Sequence, residues 1–95
     1  MNPFDKFGIS QKTINAIIKV GDYGANIHGD FKWKTHSIST HTTHSLNHGL
    51  DHIDGFMLDK DSHLYNLAHM ALRSIFALDM LINEYEKELT NGKEG

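Results

Sequence analysis

The stretch Leu64-Tyr65-Asn66-Leu67-Ala68-His69-Met70-Ala71-Leu72-Arg73-Ser74-Ile75-Phe76-Ala77-Leu78-Asp79-Met80-Leu81-Ile82, continued to Tyr85 and Leu89, decides the fold. Leu64, Leu67, Ala71, Ile75, Leu78, Ile82, Tyr85 and Leu89 recur at helical spacing and share one face. Asp61 or Ser62 is placed to cap the first turn, and Asn91-Gly92 to end the last. Such a helix is about 40 Å long at ~1.5 Å per residue. Met70, Leu72, Phe76, Ala77, Met80 and Leu81 occupy its other faces, so apolar side chains surround much of it. Two shorter partners do not cover a helix of that length and girth. Self-association through its second face is the economical expectation.

Upstream, Ser10 to about Ile27 carries Ile14, Ile17, Ile18 and Ala25 at helical spacing, with Ser10 as the N-cap and Gly21 and Gly24 weakening the second half. Ala25 to Ser39 has no periodicity and predicts an ordered loop, long enough to suggest a role of its own. A second helix is predicted from near Ser39 to about Met57, because Leu46, Leu50, Ile53 and Met57 fall in a narrow arc. His41, His44, His48 and His52 form another arc on that helix, roughly opposite the apolar stripe. The predicted fold class is therefore all-α: about three helices with a long C-terminal one and an ordered loop between the first two, assembling as a homo-oligomer. Residues 1–90 form one helical domain and residues 91–95 a flexible tail.

The 95 residues hold eight His and no Cys, which excludes disulfides and thiolate zinc sites. A domain this small buries roughly 60–65% of its unfolded surface and is marginal unless stapled, metallated or oligomeric. No apolar run approaches the ~20 residues of a membrane span, and Met1-Asn2-Pro3-Phe4-Asp5 lacks the order of a signal peptide, so the expectation is an intracellular protein without a membrane partner. A formal charge of −3 is not the footprint of a DNA or RNA binder. Any anionic ligand must be held locally.

Three constellations carry chemistry. His44/His48 and His48/His52 have the one-turn spacing of paired metal ligands, but Ser45 and Gly49 stand where a metalloprotease has its Glu, and no His is followed by Asp. For His41 and His44 a solvated polar face suffices. His69 and Arg73, one turn apart beside Asn66, form a polar strip on an apolar helix and suit an anion pocket. The alternative is an Arg snorkelling out of the core beside a hydrogen-bonded His. The loop from Tyr23-Gly24 through His28-Gly29-Asp30-Phe31-Lys32-Trp33-Lys34 sets aromatic rings beside ammonium groups, as a nucleotide requires, although Trp33 equally suits a lid on the core. P-loop, dinucleotide and nucleophile-elbow signatures are missing. Glu84, Glu86 and Glu88 diverge around their helix and form a charged outer face.

Tyr23-Gly24, Gly29 and Trp33, then His48 and Gly55, then Asp59, Asp61, Ser62, Leu64, Leu67, Ala68 and His69 follow an ordered pattern. In it they resemble the short bacteriophage proteins named as the N-terminal domain of dATP/dGTP diphosphohydrolase. The likeness runs from about Tyr23 to Leu81. The family pattern is Tyr-Gly with a later Gly and Asn-Trp, then Arg-His-x-x-x-Trp-x-x-Gly-Glu, then Asp-x-Glu-Ser-Gly-Leu-x-His-Leu-Ala-His-Ala. This chain departs from it at Lys32 for Asn, Asn47 for Arg, His52 for Trp, Phe56 for Glu and Asn66 for the first His. The family name implies hydrolysis of purine deoxynucleotides. Related all-α pyrophosphatases hold magnesium with Glu-x-x-Glu clusters on two helices, which this chain lacks, and His is a poor ligand for magnesium.

Resemblance and residue chemistry together favour a nucleotide or cyclic-nucleotide-like ligand, and the missing carboxylates disfavour turnover. The leading expectation is a phage-type protein that sequesters a nucleotide signal of host defence in the host cytoplasm, with no resident cofactor. In it Trp33 and Tyr23 stack on a base. Lys34, His48, His52, His69 and Arg73 contact phosphate or ribose, and Asp59 and Ser62 orient the loop or accept ribose hydroxyls. The alternative is a metal-dependent nucleotide pyrophosphohydrolase using Asp59, Asp61 and the His residues around a divalent ion. A third reading is a module that blocks a host enzyme through exposed apolar helix faces.

Overall fold

The computed structural model describes residues 2–94, with side chains for residues 2–89. Among them the chain is all-α: α1 (Gln11–His28), α2 (Ile38–Ile53) and α3 (Asn66–Glu94), with single 3-10 turns at Asp5–Phe7 and Lys32–Thr35. Ser10, in extended conformation, is the N-cap of α1. Ser37 caps α2, its Oγ accepting from the Thr40 amide at 3.0 Å. The loop expected between the first two helices is shorter than predicted, because α1 runs on to His28 and Lys32–Thr35 coils. The tail expected over 91–95 involves side chains outside the described residues, and α3 itself extends to Glu94.

α2 ends at Ile53 instead of Met57, where Gly55 takes a φ of 101° that favours glycine. The connection to α3 is a pinned turn. Asp59 Oδ2 accepts from the amides of Asp61 (3.2 Å) and Ser62 (2.9 Å), and the Asn66 amide donates to the Met57 carbonyl at 2.9 Å. Asp61 and Ser62 therefore belong to this turn, and α3 begins at Asn66.

α2 and α3 pack as an antiparallel pair, and α1 lies against α3 through Val20 and Gly21, where a Cβ on Gly21 would stand 3.5 Å from Leu72 Cδ2. The face that α2 buries reverses the hydrophobic expectation. His41, Ser45 and Gly49 are buried, while Leu46, Leu50 and Ile53 are 57%, 56% and 77% exposed. Small residues and matched polar groups explain this. Ser45 Oγ donates to the Met70 carbonyl at 2.8 Å and bonds the Ser74 hydroxyl at 2.7 Å, and a Cβ on Gly49 would come within 2.9 Å of Met70 Sδ. Backbones that close leave no room for leucine, so the apolar stripe turns outward.

Candidate functional site

The C-terminal end of α1, the Lys32–Thr35 turn, the inner face of α2, the Asp59 turn and the first half of α3 enclose a cavity of about 520 Å³. That volume is in the range of small-molecule sites, roughly 300–1,000 Å³. Tyr23, Trp33, His48, Asp59, His69 and Arg73 all line it.

Arg73 is half-buried on α3, and Nη1 donates to His41 Nδ1 at 3.0 Å. His41 Nε2 in turn donates to the Trp33 carbonyl at 2.8 Å. The guanidinium has no lone pair, so His41 Nδ1 must accept and Nε2 must carry the proton, which fixes the neutral tautomer. Burial and the nearby guanidinium hold His41 below the ordinary imidazole range. His41 is 0% exposed, which corrects the expectation of a solvated residue; His44 is exposed as expected. Among the described residues Arg73 has no carboxylate partner, and burial lowers its pKa without neutralising it.

His48 and His69 stack face to face, with ring centroids 4.4 Å apart and 11° between planes. His48 Nδ1 donates to Asn66 Oδ1 at 2.8 Å, an orientation set by Asn66 Nδ2 donating to the Phe56 carbonyl at 2.8 Å. With Nδ1 committed to Asn66, Nε2 is the His48 ring nitrogen left for a further partner. His69 Nε2 shares a 2.7 Å hydrogen bond with Ser62 Oγ. Burial, with help from His48 and Arg73, pushes the His69 pKa down against the opposing pull of Asp59. Burial works to raise the Asp59 pKa, but hydrogen bonds from Ser62 outweigh it and keep the carboxylate ionised below its usual range. Both imidazoles are hydrogen-bonded groups in the wall, which Arg73 and Lys32 also line.

The aromatic side is built differently from expectation. Trp33 stacks on Phe76 at 4.3 Å and 6°, with His41 edge-on, so one ring face is spent on the core. Phe31 lines the mouth, 71% exposed and at a φ of 63° that L residues rarely adopt.

Three expected site residues lie off the cavity wall. Lys34 turns its ammonium over the rings of Phe31 (5.3 Å) and Trp33 (5.7 Å). Ser62 stands behind Asp59 and His69 as their hydrogen-bond partner. His52 lies in a separate apolar groove of about 450 Å³ with Lys12, Ile17, Met57, Leu67 and Ala71, one helical turn beyond His48. In their place Lys32, His28, His36 and Phe31 reach the wall. The first helix end and the aperiodic loop contained them, but periodicity does not order side chains in a 3-10 turn.

Among the described residues no group of three His, Asp or Glu is close enough to hold a metal ion. Among the described residues no helix is long and apolar enough to cross a membrane. Comparison with protein-family models, with curated proteins and with solved structures finds no match to this chain.

Proposed function

We infer that the cavity binds a nucleotide and keeps it intact. The observation that carries this is Arg73, a half-buried guanidinium on the wall of a 520 Å³ cavity with no carboxylate partner among the described residues. A desolvated charge is costly unless a counter-ion meets it, and a planar fork of donors suits phosphate. Lys32 adds a second cation to the wall, and Tyr23 and Phe31 offer rings for a base. The left-handed backbone of Phe31 costs about 1–2 kcal/mol, and strain at an exposed aromatic on a cavity mouth is typical of ligand clamps.

The phage setting, and capture of a nucleotide or cyclic nucleotide of host defence in the infected cytoplasm, rest on the resemblance. One backbone feature supports that resemblance. Where the family pattern has Gly between Ser and Leu, His63 takes a φ of 60°. For the alternative, a metal-dependent hydrolase, the donor set does not fit. Asp59 is engaged by the Asp61 and Ser62 amides, and His69 by Ser62. Phe56 replaces the family Glu.

The test is to incubate the protein with a mixture of nucleoside triphosphates, dinucleotides and cyclic oligonucleotides, remove free ligand, heat, and analyse what is released by mass spectrometry. Release of an intact nucleotide is expected. Mono- or diphosphate products, or nothing released, would overturn the reading.

A further inference from the structure

The described structure has too much surface for a chain of its mass. A 10.8 kDa monomer is expected to expose about 5,500 Å² and to have a radius of gyration of about 12 Å. This one exposes 7243 Å², with a radius of 15.4 Å and extents of 51 × 31 × 26 Å. The excess of roughly 1,700 Å² is about twice the ~800 Å² that each partner buries in a standard protein interface. Its buried apolar side chains are Val20 and Ala68.

The excess has a definite location. α3 runs ~20 Å further than α2 at ~1.5 Å per residue. Ala71, Ile75, Leu78, Ile82, Tyr85 and Leu89 follow one another at intervals of four, three, four, three and four, the seam of a coiled coil. The last five are between 44% and 59% exposed. At Ala71 this seam enters the apolar groove that also holds Leu67, Ala68 and, from α1, Lys12 and Ile17. One end of the seam is therefore a ridge of large side chains, and the other a trough floored by alanines.

We propose that a second copy of this chain covers the seam, with the two α3 helices antiparallel about a two-fold axis near Met80. In that register Ala71 faces Leu89 of the second copy, Ile75 faces Tyr85, and Leu78 faces Ile82, and each relation is repeated by symmetry. Each ridge fills the other copy's trough. A parallel pair would set trough against trough and Ala71 against Ala71, leaving both grooves open. Charge favours the same choice. Between residues 75 and 89 stand Asp79, Glu84, Glu86 and Glu88 against Lys87, and the antiparallel pair lays this acidic end along an α1 that carries Lys12 and Lys19. A parallel pair runs two acidic ends side by side.

Sedimentation equilibrium on the full chain, without added nucleotide, should return twice the 10.8 kDa chain mass or an even multiple of it; a monomer overturns the proposal. Orientation is read by oxidation, which is clean because the chain has no cysteine. Ala71→Cys and Leu89→Cys should each stay unlinked alone, since equivalent positions stand roughly 27 Å apart in this register. Mixed in equal amounts they should form a disulfide dimer, the facing positions being within bonding reach. Self-linking of either single variant, or no link in the mixture, overturns the antiparallel register. Leu78→Gln should lower the association constant at least tenfold with the helical circular dichroism kept, and undiminished association overturns the seam.

Discussion

Arg73 Nη1 donates to His41 Nδ1 at 3.0 Å, so one buried imidazole ties the cavity's guanidinium to the backbone of Trp33. The pairing costs His41 both of its nitrogens and leaves most of the Arg73 donors for a ligand. Arg73→Gln is expected to weaken nucleotide binding at least tenfold, since hydrogen bonds to a charged group contribute about 1.5–3 kcal/mol. The melting temperature should stay within a few degrees, because removing a desolvated charge offsets the lost bond to His41. Calorimetric titration and thermal melts of the same variant check both halves, and equal loss of affinity and of structure would assign Arg73 to the core alone.

His41→Phe keeps an aromatic ring but leaves the Arg73 Nη1 donor without its partner and the Trp33 carbonyl with the His36 amide alone, at 3.2 Å, and it puts a larger ring into a fully buried site. A loss of about 2–4 kcal/mol is expected in urea unfolding. A loss under about 1 kcal/mol would mean that neither partner depends on His41.

Stability should fall as pH drops from 7.5 to 5.5. His41 and His69 are both held below the ordinary imidazole value of about 6.5, mainly by burial. Below that value the unfolded chain takes up protons that the folded chain resists, so the unfolded state gains, by at most ~1.4 kcal/mol per pH unit for each group. The stabilisation is complete above pH 6.5 and is lost progressively toward the lower folded values. Asp59 acts in a lower window, where its carboxylate protonates, because its folded pKa is also depressed. A urea midpoint independent of pH between 7.5 and 5.5 would contradict the neutral His41 and His69.

His63→Gly should stabilise the fold by about 0.5–1 kcal/mol. The left-handed φ of 60° costs an L residue about 1–2 kcal/mol, and glycine gives back part of that in unfolded-chain entropy. The His63 side chain is exposed, so little is lost with it. A destabilised variant would show that His63 makes a contact worth more than the strain.

Gly49→Val should cost about 2–3 kcal/mol, because even a Cβ would stand 2.9 Å from Met70 Sδ at the closest approach of α2 and α3. Chemical unfolding measures it, and a neutral result would show that Met70 swings clear at no cost.

The long helix was legible from the sequence because its apolar positions repeat over many turns, and so was Ser10 as the N-cap of α1. The candidate cavity was partly legible: Tyr23, Trp33, His48, Asp59, His69 and Arg73 were identifiable as chemistry-bearing groups, and the fold gathers them around one space. Periodicity misled on α2. It reports which side chains are apolar, whereas burial is decided by what the neighbouring helix presents, and here Ser74, the Met70 carbonyl and Arg73 meet Ser45 and His41. The same limit hid Lys32 and His36 in an aperiodic turn, and it did not show that His52, one turn beyond His48, opens onto a different groove. Composition and spacing thus determined an all-helical chain with too little apolar core for its length. Only tertiary packing decided that polar groups fill the α2–α3 contact, which leaves the leucines outside and within it a guanidinium bonded to His41 but without a carboxylate partner among the described residues, because hydrogen-bond pairing and close backbone approach depend on both surfaces at once.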